Sequence, residues 1–192
     1  MHMLRSRLKG RLFLNSFIGL FTLFFILLSN EQVHADCQIK NERTDIVYTD
    51  LQAAINAAIS GDTLLVRGKC ETSVGFIITD KSLTIKGVGR PGLRGRPSHQ
   101  AILDGNYAAT VLTITESVAD TVFVQLENLK IENGNGEEGG GINNNATLTL
   151  KYTHVVDNRA SIGGGIFNIA SIIGEAFSAG TLTLIHSTVS RN

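Results

Sequence analysis

Four carboxylates could do acid–base work: Asp104, Glu127, Glu132 and Asp157. Glycoside hydrolysis needs two such groups flanking one bond, one to donate a proton and one to attack or to activate water. In this chain no Asp-Asp pair occurs, so each is read as isolated. Asp104-Gly105-Asn106 reads as a turn. His154 and His186 fall at different places in their repeat segments and read as solvated strand histidines rather than as a proton relay. Gly87-Val88-Gly89-Arg90-Pro91-Gly92 matches a dinucleotide fingerprint, but that motif must open a helix. Pro91, Gly92, Gly95 and Pro97 forbid one here. Gly61 and Gly68-Lys69 have the wrong spacing for a phosphate loop, and no Ser or Thr follows the lysine. Gly134-Asn135-Gly136-Glu137-Glu138-Gly139 reads as an ordinary turn, with a weak calcium site as the alternative. Its counterpart before the second glycine motif, Asp157 to Ser161, lacks the glycines that a repeated calcium turn requires. No catalytic residue, cofactor or metal ligand is assigned from these motifs.

The two cysteines, Cys37 and Cys70, have no neighbouring histidine, which argues against a metal site. Their setting points to a disulfide, because the chain opens with an export leader. Arg5, Arg7, Lys9 and Arg11 form a basic start, a charge-free run follows from Leu12 to Ser29, and Val33-His34-Ala35 ends it with a cleavage-site pattern. Cleavage is expected after Ala35, with an uncleaved anchor as the alternative. Residues 1–35 are therefore set aside as a signal peptide, and the product is expected to be secreted or at the cell surface. In an oxidising compartment two cysteines tend to pair. Removing the leader takes away four basic residues and Glu31, leaving 13 basic against 16 acidic, a net charge of about −3. No concentrated basic face marks a nucleic-acid partner. The cluster Arg90, Arg94 and Arg96 lies among Gly and Pro and reads as a solvated loop.

The elements that must position these residues are short and mostly extended. Thr49–Ser60 is the one predicted helix, with Thr49 as its cap, Gln52 as capping-box partner and Gly61 as its stop. Thereafter β-branched runs alternate with turn residues. Strands are predicted at 63–66, 76–79, 83–86, 101–103, 110–115, 122–125 and 129–131, then at Ile142, 148–150, Ile166 and 182–184. The connections are too short for crossover helices.

Two segments repeat without a gap. Thr147-Leu148-Thr149-Leu150, Val155 and Asn158 are matched by Thr181-Leu182-Thr183-Leu184, Val189 and Asn192. Gly139-Gly140-Gly141-Ile142 precedes the first, and Gly163-Gly164-Gly165-Ile166 precedes the second. Such a period marks a solenoid, in which like residues of successive coils stack. The leucines are expected to point inward and the glycines to supply positive φ at sharp turns. Asn158 and Asn192 are expected at left-handed corners with amides bonded between coils, and Asn144 and Asn168 as a second stack. The glycine motifs lie 24 residues apart and the Thr-Leu-Thr-Leu units 34 apart. The difference falls in Ile169–Gly180, expected as a loop thrown out of one corner.

These motifs resemble those of right-handed parallel β-helix proteins, the pectin-lyase-like superfamily. They are also similar to the paired repeats of polymorphic outer-membrane proteins, with Val155 where that pattern carries Phe. The upstream segments Gly61-Asp62-Thr63, Leu83-Thr84-Ile85-Lys86-Gly87 and Ile102-Leu103-Asp104-Gly105 look like entry coils of such proteins. The resemblance covers Ile46 to Asn192 and implies an all-β solenoid. The domain is expected over residues 36–192, with an N-terminal cap at 36–62 and coils at 63–192. Asn192 ends a repeat unit with no closing element after it, so an uncapped end, as in a truncated product, is expected. The resemblance implies a non-enzymatic scaffold for surface adhesion or glycan binding. The alternative it implies is a carbohydrate-active enzyme, lyase or hydrolase, or its remnant. Lyases of this kind work with carboxylate-held calcium and a basic residue, and the chain has no Gly-His-Gly and no Arg-Ile-Lys. The implied partner is a cell-surface glycan or polysaccharide.

Overall fold

The computed structural model describes residues 37–89, 100–116, 121–173 and 176–192. The expected leader and the Arg90, Arg94 and Arg96 loop lie outside the described residues. In chain order the elements are β1 (Cys37–Asn41), β2 (Val47–Tyr48), α1 (Leu51–Ala57), β3 (Thr63–Glu71), β4 (Phe76–Thr79), β5 (Leu83–Gly87) and β6 (Ala101–Asp104). There follow β7 (Leu112–Thr115), β8 (Phe123–Glu127), β9 (Leu129–Glu132), β10 (Asn135–Glu138), β11 (Ile142–Asn144), β12 (Thr147–Lys151) and β13 (His154–Val156). The last are β14 (Arg159–Ile162), β15 (Ile166–Asn168), β16 (Ala170–Ile173), β17 (Ala176–Ala179), β18 (Thr181–Ile185) and β19 (Thr188–Ser190).

The fold is all-β and mostly parallel. One sheet runs β18-β12-β8-β5-β3-β6-β9-β13-β19, a second runs β15-β11-β7-β4, and β10 pairs with β14. Strand β3 is shared: Thr63 to Val66 pair with β5, and Lys69 to Glu71 pair with β6. Two wings therefore leave it, and each strand of a wing lies beside its equivalent from the next pass of the chain. The arrangement is compatible with a solenoid-like fold. Antiparallel pairing among the described strands is confined to β1 with β2 and β3, and to β16 with β17.

Alternation of Leu and Thr explains the packing. In a strand successive side chains face opposite ways, so Thr-Leu-Thr-Leu buries both leucines. Leu64, Ile85, Leu126, Leu150 and Leu184 stack in one inward ladder, and Leu83, Val124, Leu148 and Leu182 in the next. Cys70, Leu103, Ile131, Val155 and Val189 line the other wing. These side chains are buried except at the last described rung, where Leu184 is 47% exposed because no described strand stacks over it.

The first rung is closed. Helix α1 is shorter than predicted, and its cap is Asp50 rather than Thr49: the Asp50 carboxylate accepts the Ala53 N–H at 2.6 Å. Gln52 does not complete a capping box. Its amide accepts the Ile77 N–H at 2.7 Å and donates to the Ile77 carbonyl at 3.0 Å. It thus covers the edge of β4 as a strand would, which blunts a template for wrong pairing. The helix ends at Ala57, before Gly61, and Lys81 Nζ donates to the Ile55 and Ala58 carbonyls at 3.1 and 3.0 Å. A cation at that end satisfies orphan carbonyls and opposes the helix dipole.

Cys37 and Cys70 form a disulfide with Cα atoms 4.7 Å apart and a sequence separation of 33. It ties β1 to β3, with which β1 also pairs antiparallel. Closing a loop of that length restricts the unfolded chain by about 3–4 kcal/mol. Reduction under native conditions is expected to lower stability by that amount, read as a shift in the urea midpoint against a Cys37→Ala, Cys70→Ala variant that no longer responds to reductant.

Asp62 ties β1 and the turn after it to the start of β3. It is buried and accepts from Arg43 Nε at 2.5 Å, Asn41 Nδ2 at 2.8 Å and the Ile59 N–H at 3.1 Å. The Arg43 guanidinium, with these donors, outweighs burial and holds the Asp62 carboxyl well below the usual carboxylate range. A depressed pKa contributes stability that is present above the unfolded value and lost as pH falls below it. Acid unfolding below about pH 4 should therefore be shallower for Asp62→Asn than for the parent chain. A parallel pH profile for both proteins would refute the role.

The difference in repeat length is a hairpin. β16 and β17 pair antiparallel, Ala170 opposite Ala179 and Ile173 opposite Ala176. The chain leaves the sheet after the Ile169 N–H donates to the Asn144 carbonyl at 3.0 Å, and returns where the Thr181 N–H donates to the Ala146 carbonyl at 2.9 Å.

Candidate functional site

The candidate carboxylates do not stand alone. Parallel register sets Glu71 beside Asp104 and Asp104 beside Glu132, on neighbouring strands of the β3-β6-β9 wing about 4.8 Å apart. Sequence spacing hides this, since the three residues come from three passes of the chain. Each carboxylate is matched to a cation. Lys69 Nζ lies 2.7 Å from both Asp104 Oδ2 and Glu71 Oε1, and Lys130 pairs with Glu132. Lys86 lies 3.2 Å from Glu127, and Arg191 grips Asp157 with two bonds of 2.8 and 2.9 Å. Asp104 also accepts the Asn106 N–H at 2.7 Å and Asn133 Nδ2 at 2.9 Å. Burial pushes the Asp104 carboxyl up, but Lys69, Asn106 and Asn133 together hold it below its usual range. Arg191 does the same for Asp157. A general acid needs a carboxyl that keeps its proton near neutrality. Asp104 and Asp157 are held as anions, and what the arrangement builds is a ladder of ion pairs.

The stretch read as an ordinary turn, with calcium as the alternative, is largely a strand. Asn135–Glu138 forms β10, with Asn135 opposite Arg159 and Gly136 opposite Ala160. Among the described residues no group of three or more His, Cys, Asp or Glu is placed to hold a metal ion. His154 lies on β13 between Lys130 and Thr188. His186 sits at a left-handed corner rather than on a strand, and its ring stacks on Tyr152 with centroids 5.2 Å apart.

The repeat residues join neighbouring parallel strands and the corners beside them. Ile142 pairs with Ile166 and Asn144 with Asn168. Asn158 Nδ2 donates to Asn192 Oδ1 at 3.0 Å, and Asn144 Nδ2 to Asn168 Oδ1 at 2.6 Å. Two expectations need correction. The left-handed residue at the asparagine corner is the one before it, Asp157 or Arg191, with φ of 58° and 55°. In each glycine motif only the first member, Gly139 or Gly163, has positive φ. Close approach constrains Gly140, Gly141 and Gly165: a β-carbon on Gly141 would lie 2.6 Å from the Gly165 carbonyl oxygen, and one on Gly165 would lie 2.7 Å from Asn192 Nδ2.

The outward face of the β5-β8-β12 wing has a different chemistry. Thr84, Gln125, Thr149 and Thr183 form one outward ladder, and Phe123, Thr147 and Thr181 the one beside it. A shallow groove of about 340 Å³ lies over this face, lined by Ser82, Thr84, Phe123, Gln125, Thr147 and Thr149 with backbone from Gly61, Leu83 and Val124. Phe123 is 58% exposed. Its N–H donates to Ser82 Oγ at 3.0 Å, and the Ser82 N–H donates to Ser60 Oγ at 3.0 Å, which fixes the strand end that carries the ring. None of these residues stands out in the sequence, because outward positions of a sheet need not repeat in type. The one cue is that Thr recurs between the buried leucines.

Fold and faces together define the class: an all-β, mostly parallel-stranded protein with its outward ladders differentiated by chemistry. No protein-family model, curated protein or solved structure matches the chain. The disulfide is consistent with an extracellular protein, and no helix among the described residues is long and apolar enough to cross a membrane.

Proposed function

We propose that the chain is an exported right-handed parallel β-helix of the pectin-lyase-like kind, acting at the cell surface or after secretion as a non-enzymatic scaffold for adhesion or glycan contact. In this reading residues 1–35 are a cleaved leader and residues 36–192 the scaffold, with its cap at 36–62. One observation carries it: Glu127, Glu132, Asp104 and Asp157 are each neutralised by a lysine or arginine, while the side chains that line the groove over β5, β8 and β12 are uncharged. Fixed ion pairs stiffen a face, and a polar groove with one exposed ring offers a contact site. The enzyme reading draws on the register of Asp104 beside Glu132, and the lysines weigh against it. The test is retention on immobilised polysaccharides and whole-cell surfaces, with reducing-end and unsaturated-product assays run in parallel. Retention without product is the expected result. Product that disappears in Asp104→Asn or Glu132→Gln would replace the scaffold with an enzyme.

A further inference from the structure

We infer that the groove over β5, β8 and β12 is a binding site for a linear, uncharged glycan. This rests on the scaffold reading and narrows it to one face and one ligand class. A sugar ring has an apolar face of C–H groups and a rim of hydroxyls. An aromatic side chain meets the first, and side chains that both donate and accept meet the second. The groove supplies this combination. Phe123 presents an exposed ring from an anchored strand end, beside Ser82, Thr84, Gln125, Thr147 and Thr149. The Gln125 amide is steadied by donating to Glu127 Oε2 at 3.4 Å, which leaves its carbonyl oxygen and second N–H for a ligand.

Charge decides against an anionic polymer. No lysine, arginine, aspartate or glutamate is among the groove-lining residues. The next rung along the sheet is Lys86, Glu127 and Lys151, in which Lys86 lies 3.2 Å from Glu127 and Lys151 Nζ lies over the Tyr152 ring, 5.8 Å from its centroid. Among the groove-lining residues a polyanion would find no cation to pair with its carboxylates, whereas hydroxyl and amide groups match uncharged sugars. Length follows from the ladder. Thr84, Gln125 and Thr149 recur at about 4.8 Å along the stack, so hydrogen-bonding groups repeat in a line that suits a chain of sugars rather than a single one.

The test is affinity electrophoresis of the disulfide-intact protein through gels containing neutral polymers (mixed-linkage glucan, galactomannan, dextran) or charged ones (polygalacturonate, carboxymethyl cellulose). Phe123→Ala and Gln125→Ala are run beside the parent, with circular dichroism and melting curves to confirm that both fold. The expected result is retardation by at least one neutral polymer that survives about 1 M salt, where charge is screened within about 3 Å. Phe123→Ala should weaken it by about tenfold or more, and Gln125→Ala by a smaller factor. Retardation by charged polymers alone, loss of retardation in high salt, or a Phe123→Ala protein that runs like the parent would overturn the groove assignment. The first and third of these leave the scaffold reading standing. Migration unaffected by every polymer, together with no retention on cell surfaces, would end both.

Discussion

Replacing Asn158 by alanine should lower the unfolding free energy by about 4 kcal/mol. The side chain is fully buried. Its Oδ1 accepts the Gly134 N–H at 2.8 Å, and its Nδ2 donates to the Ile131 carbonyl at 3.1 Å, the Val156 carbonyl at 3.0 Å and Asn192 Oδ1 at 3.0 Å. It therefore satisfies backbone groups of its own coil and of the one before it. Alanine would strand a buried N–H and two buried carbonyls, each at about 1–3 kcal/mol. The matched control is Asn144→Ala. That residue is equally buried, but its Oδ1 has no partner and its place in the ladder is held by Ile78 and Ile114 in earlier coils. Relief of that orphan offsets part of the loss, so about 1–2 kcal/mol is expected. Urea unfolding followed by circular dichroism separates the two. Equal losses would mean that burial of an amide, rather than its partner set, decides the cost.

Gly140→Ala should destabilise by about 3 kcal/mol, although alanine ordinarily favours ordered backbone. Gly140 lacks positive φ, so conformation is not the obstacle. A β-carbon there would overlap the Arg159 carbonyl oxygen and stand 2.5 Å from the Gly164 carbonyl oxygen. Both neighbours are backbone. They cannot swing aside as a side-chain tip can, so the next coil must lift and loosen bonds such as Gly141 N–H to Gly164 O at 3.2 Å. Gly61→Ala is the contrast: φ is +90°, and a β-carbon would meet nothing within 4 Å. Only backbone strain of about 1–2 kcal/mol applies. Thermal melts of the two variants should therefore rank Gly140→Ala well below Gly61→Ala. The reverse order would show that coil spacing at the glycine motif is slack.

Much of the strand register can be read in the chain. Thr147 to Leu150 recur 34 residues later, and those residues pair one to one. The reading is sound because a parallel stack places like beside like, so an inward leucine selects another in the next coil. The corners are less legible. A positive φ was expected of asparagine, but Asp157 and Arg191 adopt it, because Asn158 and Asn192 are needed with their amides turned inward. The predicted edges of α1 failed for a related reason. Gln52 suits a capping box in isolation, yet its amide is drawn off by the unpaired backbone of Ile77, an interaction between residues 25 apart. The groove is legible only in the threonines that recur between buried leucines. Ser82 and Thr84, Phe123 and Gln125, and Thr147 and Thr149 are i, i+2 pairs from three passes of the chain, and they share that alternation but no residue type common to all three.

The amino-acid order alone determined which residues turn inward and where successive passes of the chain match. Those features follow from side-chain alternation and from repetition, which are properties of the chain read in line. Only the tertiary structure decided which carboxylate meets which lysine, which glycines are forced by approach and which by dihedral, and which face gathers an exposed ring among hydroxyls and amides. Those outcomes depend on neighbours across coils, where distance in space and distance in sequence have no fixed relation.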